Sequence, residues 1–337
     1  MLKKIKLIDI KTNLSNCLFL NKHTFYVFEN KTLKKYNIDK MTSENILELK
    51  EGHPNLLKFD DSFLWYSNKR LLRKFQIRTG KEDTFDYGKF NTLNQNLGIF
   101  YTKENNNIFF NVYDLNIKKI LWKHKAIISP KFLNNYFFSE NSTNNKLSLH
   151  RNETGEVIWQ LDVSKVFHDL KLSKFIGAYK NVLLVGIGTT TDVNNYIAAI
   201  SIDTGEVIWK QKGFYNFLKI NPSDGCIYLI NAGYSKTDIP TGNILDEYVN
   251  NEVFGLDKFL SYRDNYVILK DHIISTDHKL GKIVAFNTKT HQFDWVHKEP
   301  GVNFPIGSPI IYKAPYLFVQ DNKKTVHVFE HTNPNVL

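Results

Sequence analysis

The densest grouping of metal-binding side chains in the sequence is Asp271-His272 followed by Asp277-His278. Carboxylate oxygen and imidazole nitrogen are ligands that zinc accepts, which makes the four residues a candidate metal site. On one extended strand, however, six residues span about 20 Å, too far for both pairs to hold one ion unless a turn folds between them. With 273–276 read as a short strand, the pairs flank it and no metal is expected. Gly186-Ile187-Gly188-Thr189-Thr190-Thr191-Asp192 offers glycines and hydroxyls that could cradle an anion. It follows a strand and precedes no helix, so it supports neither a phosphate loop nor a dinucleotide fingerprint and is read as a loop. Phe167-His168-Asp169 sets a base beside a carboxylate, with no nucleophile at a recognisable spacing. Cys17 and Cys226 each sit in an apolar stretch, where a thiol packs as a small hydrophobe, and no CxxC spacing accompanies them. No catalytic residue, cofactor or metal ligand is assigned, and the chain is read as a non-enzyme.

What could position such residues is bounded by composition. The 337 residues are 14 % aromatic, with 25 Phe and 17 Tyr, which favours strands, because flat rings pack well on a pleated surface. A chain of this length can still be one all-β unit. The formal charge of +10 is carried by scattered lysines that alternate with apolar residues, as solvent-facing strand positions do. Nucleic acid is therefore not the expected partner, although polyanion binding is a weaker alternative. The start of the chain lacks the apolar core and cleavage site of a secretory signal, and no run approaches a membrane span. Together with the cysteine usage, this places the expected protein in the cytoplasm.

A repeat runs through the chain. Thr154-Gly155-Glu156-Val157-Ile158-Trp159 recurs as Thr204-Gly205-Glu206-Val207-Ile208-Trp209, each preceded by an alternating segment. Weaker copies occur at Thr79-Gly80, at 117–122 ending in Trp122, at Thr241-Gly242 and at 290–295 ending in Trp295, with degenerate ones near Thr42 and Thr332. Each unit reads as an apolar strand, a second strand, a third alternating strand, a turn and a fourth strand. Glycine after Thr suits a tight turn with positive φ, joining the third and fourth strands as a hairpin. Four short strands in roughly 40 residues make one propeller blade.

The alternating strand followed by Asp203-Thr204-Gly205 and then Trp209 resembles the repeat of pyrroloquinoline-quinone (PQQ) propellers. The resemblance implies that Trp122, Trp159, Trp209 and Trp295 dock between neighbouring blades. Enzymes of that family hold a quinone in the central channel, with calcium bound by acidic and amide side chains, a catalytic Asp and, in many, a vicinal disulfide. No position here matches those ligands by motif, so the resemblance implies the scaffold of a non-enzymatic branch, with no cofactor. The bacterial outer-membrane assembly lipoprotein, an eight-bladed protein-binding propeller, is another relative type. Its lipidated N-terminal cysteine has no counterpart in this sequence.

The expected fold is all-β, a single closed propeller over 1–337 with eight four-stranded blades, or seven if one degenerate unit is miscounted. Blade 8 is expected to be shared between about 3–10 and 301–332, because the last unit supplies three strands and the first residues form a lone one. Closing the ring this way removes exposed edges. Insertions fall at 164–172, 186–195, 250–262 and 276–281, and are expected on one face of blades 4–7. Loops elaborated on a rigid scaffold are where binding is usually placed. The expected function is binding of a macromolecule, most simply a protein, through Phe167, His168, Thr190, Asp192, Tyr215, Phe254, Phe259, Tyr262 and His278. An enzyme with a small molecule or metal in its channel is the alternative.

Overall fold

The computed structural model describes the chain apart from residues 1, 11, 41, 61, 70, 86–89, 93–96, 106, 127–130, 134–135, 142–144, 169, 189–194, 214–217, 231–232, 250–265, 278–280, 305–307 and 332–337. It forms eight antiparallel four-stranded sheets. Seven consist of four strands in chain order, and they are numbered here as blades 1 (18–48), 2 (55–85), 3 (90–126), 4 (131–162), 5 (172–212), 6 (218–249) and 7 (266–298). Blade 8 takes three strands from 310–331 and its fourth from Leu2–Asp9, in the order N-terminal strand, Thr325–His331, Tyr316–Gln320, Ile310–Lys313. The chain is an eight-bladed all-β propeller, closed as the strand count of its two ends predicted. Among the described residues no helix is long and apolar enough to cross a membrane.

Burial explains why the strands read as they do. Second strands such as Thr24–Glu29 and Val182–Ile187 are buried at every residue, and their sequences are nearly continuous apolar runs. Fourth strands such as Val207–Lys212 and Gln292–Lys298 alternate half-buried with exposed residues. Inner strands packed on both faces need apolar side chains throughout, whereas outer strands need them only on the packed face.

Two compact units result, Met1–Tyr87 with Asn250–Leu337, and Gly88–Val249. The first contains blades 1, 2, 7 and 8. A cluster of Leu2, Leu269, Ile274, Phe304, Leu317 and Phe329 joins its blades 7 and 8, and Ile8, Phe25, Val27, Phe318 and Val328 join blades 8 and 1. The second unit contains blades 3 to 6, where Phe138, Leu149, Leu183, Val185 and Ala198 fill the space between blades 4 and 5.

A β-bulge recurs on the fourth strand. In blade 5, Ala199 pairs with Trp209 and Ile200 with Val207, so that Ile208 is the extra residue. By the same register Leu121, Ile158, Leu245, Asp294 and Ile46 are extra in blades 3, 4, 6, 7 and 1. An extra residue bends the strand and re-aims its side chains. The bulge therefore separates the tryptophan from the hairpin turn and fixes which way it points.

Candidate functional site

The repeat's most regular joint lies in blades 3 to 6. Trp122, Trp159 and Trp209 donate their indole N–H to the carbonyls of Asn152, Ile202 and Ile239 in the next blade, at 2.7, 2.6 and 2.7 Å. Each accepting carbonyl lies three residues before the turn glycine. The indole ring covers that glycine so closely that a Cβ at Gly155, Gly205 or Gly242 would stand 2.9, 2.7 or 2.7 Å from it. These glycines also have φ of +73°, +75° and +74°, a region that costs any L side chain energy. Two independent demands thus fall on one residue. In blades 3 and 7 the turn carries Lys118 (φ 56°) and His291 (φ 57°) instead; each follows a blade whose fourth strand has no tryptophan.

The bulge residues of these blades face solvent. Leu121, Ile158, Ile208 and Leu245 are 38, 38, 46 and 57 % exposed, and Ile120, Val157 and Ile244 on the same strands are exposed as well. Seven of the eleven exposed large hydrophobic side chains among the described residues thus belong to the fourth strands of blades 3–6. Blade 1 presents Thr42, Ser43, Glu44 and Asn45 on its fourth strand, and blade 2 presents Glu82, Asp83 and Thr84. Exposed apolar outer-strand residues are thus concentrated in one unit, with Val296 of blade 7 an exception among the described residues.

Blade 7 departs from this pattern. Its bulge residue is Asp294, whose Oδ2 accepts from His272 Nε2 and Asn287 Nδ2, both at 2.8 Å. These donors hold the Asp294 carboxyl below the usual carboxylate range. Next to it Trp295 stands edge-on to Phe329, ring centroids 5.5 Å apart. The residues that follow Thr325–His331, where the equivalent acceptor would fall, lie outside the described residues. A cavity of about 270 Å³ opens there, lined by Leu2, Leu269, His272, Ile274, Ala285, Asp294, Trp295 and His331.

Other chemistry-bearing side chains serve as struts. Ser139 donates its hydroxyl to His150 Nε2 at 2.7 Å, while His150 Nδ1–H donates to the Gly155 carbonyl at 3.1 Å. A base and a hydroxyl at this distance have the geometry of a nucleophile pair. Both are buried, at 2 % and 7 % exposure for His150 and Ser139, and burial lowers the imidazole's proton affinity. His150 stacks on Phe137, which stacks on Trp122, so the ring column supports the Thr-Gly turn. In blade 8, His327 Nε2 donates to Asp321 Oδ2 at 3.0 Å, and His327 Nδ1 lies 3.5 Å from Glu299 Oε2. Glu299 also pairs with Lys4 of the N-terminal strand, which holds the carboxyl below its ordinary range. Through these contacts the N-terminal strand of blade 8 is tied to Glu299, just past the end of blade 7. Among the described residues no group of three His, Cys, Asp or Glu side chains is arranged to hold a metal ion.

Glu140 is 6 % exposed, and burial pushes its carboxyl up to about 7 against the opposing pull of Lys171. An unfolded glutamate carboxyl titrates near 4.5. Between about pH 4.5 and 7 the folded chain retains a proton that the unfolded chain has lost. Stability therefore falls as pH rises through that window, on the order of 1–3 kcal/mol. Glu140→Gln is expected to flatten the fall, read from urea midpoints on either side of the window; an unchanged slope would contradict this assignment. The thiols stay protonated, since burial raises Cys17 well above the ordinary range and pushes Cys226 up to about 11.

Of the residues expected in a binding loop, two lie in the described part. Phe167 does not face solvent. Val163–Val166 forms one helical turn capped by Asp162, and the Phe167 amide donates to Val163 O at 2.9 Å, which turns the ring into the blade 4–5 core at 2 % exposure. His168 follows it, exposed, with φ of 49°. Thr190, Asp192, Tyr215, Phe254, Phe259, Tyr262 and His278 lie outside the described residues. Asp271 and His272 of the suspected metal grouping have other partners: Asp271 pairs with Lys289 at 2.8 Å and His272 with Asp294.

No family model matches the sequence, and no curated protein matches it either. Solved structures do. The computationally designed protein Ika8 is similar at 15 % identity with a TM-score of 0.65, covering 97 % of this chain and 99 % of that one. BamB from Moraxella catarrhalis is similar at 12 % identity and a TM-score of 0.61, covering 98 % and 100 %. Sqt1 from Saccharomyces cerevisiae is similar at 10 % identity and a TM-score of 0.64, covering 98 % and 99 %. The likeness is one of fold.

Proposed function

We propose that this chain is a non-enzymatic scaffold, built on PQQ-like repeats, that binds another protein through the outer strands of blades 3–6. The observation that supports this reading is the row of exposed apolar bulge residues, Leu121, Ile158, Ile208 and Leu245. Apolar side chains on successive blades offer the desolvated centre that protein interfaces need, and surface concentrations of this kind mark interaction sites. Lys123 and Lys210 stand nearby and would supply a polar rim. The buried settings of Ser139, His150 and His327 agree with structural rather than catalytic use. The thiol forms of Cys17 and Cys226 suit a reducing, cytoplasmic setting.

The test is capture of a partner from native lysate by the folded chain and by the double variant Ile158→Lys, Ile208→Lys. Placing two charges in an apolar contact is expected to lower recovery by about tenfold or more. The control Glu44→Lys, on the polar fourth strand of blade 1, is expected to leave it unchanged. Equal recovery with the double variant would overturn the proposal.

A further inference from the structure

The fourth strand of blade 3, Lys119–Ala126, differs in charge from the other outer strands of its unit. Between Asp114 and Glu140 the sequence holds Lys118, Lys119, Lys123, Lys125 and Lys131 and no acidic residue. The corresponding strands have acids in them or directly beside them: Glu156 and Asp162 in blade 4, Glu206 in blade 5, Asp246 and Glu247 in blade 6. Of these four strands with their turns, that of blade 3 alone carries only cations.

The same strand displays apolar side chains among those charges. Ile117 in the turn before it, and Ile120 and Leu121 within it, face solvent. Lys119 and Lys125, near its two ends, are exposed, while Lys123 is engaged by Glu104 and lies 4.2 Å from the centre of the Phe109 ring. The strand pairs with Asn107–Asp114 on one side and forms the edge of its sheet on the other, with 122–126 in unbroken register beyond the bulge. The amides and carbonyls of such an edge are a template for another strand. Lysines along it repel a second basic strand and favour an acidic one, since opposite charges across paired strands attract and like charges oppose pairing. A polynucleotide would satisfy the lysines but offer the aliphatic side chains little to pack on. An anionic bilayer would meet both, yet leave the edge N–H and C=O groups without partners.

Resting on the reading that the outer strands bind protein, we propose that the partner contributes an extended acidic segment to blade 3. It pairs with 122–126 as a fifth strand and runs on past the bulge, its carboxylates toward Lys125 and Lys119 and its apolar side chains toward Leu121 and Ile120. Backbone bonds to the edge supply affinity, and the lysines select the sequence that can make them.

Titration of the purified full chain with a short blocked peptide, in which glutamate alternates with valine, tests it. The peptide is expected to bind saturably, and its counterpart with lysine in place of glutamate at least about tenfold more weakly. At saturation, amide hydrogen exchange over 122–126 is expected to slow about tenfold, which ionic adhesion through side chains alone would not produce. The double variant Lys119→Glu, Lys125→Glu is expected to lower affinity for the acidic peptide about tenfold or more, and Lys125→Glu alone about threefold. Lys298→Glu, at an exposed position on the fourth strand of blade 7, is expected to bind as the parent does. A cooperative thermal transition like the parent's establishes that each variant is folded. The proposal is overturned if the acidic peptide does not bind, if both peptides bind alike, if exchange over 122–126 is unchanged at saturation, or if the folded lysine variants bind undiminished. Binding of phosphatidylserine vesicles or single-stranded DNA in place of the peptide would also overturn it. The titration needs no lysate and leaves Ile158 and Ile208 untouched, so it can fail while the capture experiment succeeds.

Discussion

Gly205→Ala is expected to destabilise the chain by about 2–4 kcal/mol, the sum of a left-handed backbone penalty and an overpacked contact. The added methyl would stand 2.7 Å from the Trp159 ring, and Trp159 cannot retreat without giving up its 2.6 Å bond to Ile202 O. Gly80 provides the comparison. It occupies the equivalent turn of blade 2 with φ of +69°, but nothing lies within 4 Å of its missing Cβ. Gly80→Ala should therefore cost only the backbone term, about 1–2 kcal/mol. The difference between the two, measured by urea unfolding, isolates the indole contact from the turn conformation. Equal losses would mean that the tryptophan adapts freely and that the joint is not close-packed.

Deleting residues 2–9 is expected to abolish the cooperative thermal transition or leave the chain insoluble. The strand supplies Leu2 and Ile8, both nearly buried, each worth about 1.5–3 kcal/mol. It also pairs along the whole length of Thr325–His331. Its removal would strip Lys4 from Glu299 beside the buried His327, and expose a strand edge that invites association with other chains. Lys3→Ala changes an exposed side chain on the same strand and should leave the transition in place. A truncated chain that melts like the parent would contradict the role assigned to this strand.

Much of this architecture was legible because it repeats. The Thr-Gly turns and the period of the strands stood out in Thr154-Gly155 and Thr204-Gly205, and the missing fourth strand of the last unit pointed to the N-terminus. The bulge did not stand out, because an unbroken apolar run such as Val157-Ile158-Trp159 does not tell which residue is left unpaired. The register alone shows that Ile158 and Asp294 hold equivalent positions. The Lys4, Glu299 and His327 contacts were out of reach for another reason: Lys4 lies 295 residues from Glu299, and no local pattern joins the three. The sequence places Phe167 in an exposed loop because 164–172 reads as an insertion between blades. Asp162 instead caps a single helical turn that carries the ring inward.

The same position thus has two uses. In blades 3–6 the bulge displays aliphatic side chains, and in blade 7 it displays a carboxylate, Asp294, next to Trp295. A rigid blade makes either use possible, since strand pairing holds the outer strand while its bulge residue is free to vary.

The most direct test of protein binding through the outer strands is position-specific photo-crosslinking in native cells. A photoreactive residue would be placed at Ile158 or Ile208, and, for comparison, at Glu44 or Asp83 on the polar fourth strands of blades 1 and 2. The account predicts one covalent protein adduct of the same mass from positions 158 and 208, and none from 44 and 83. No adduct from 158 and 208, or the same adduct from all four positions, would contradict it.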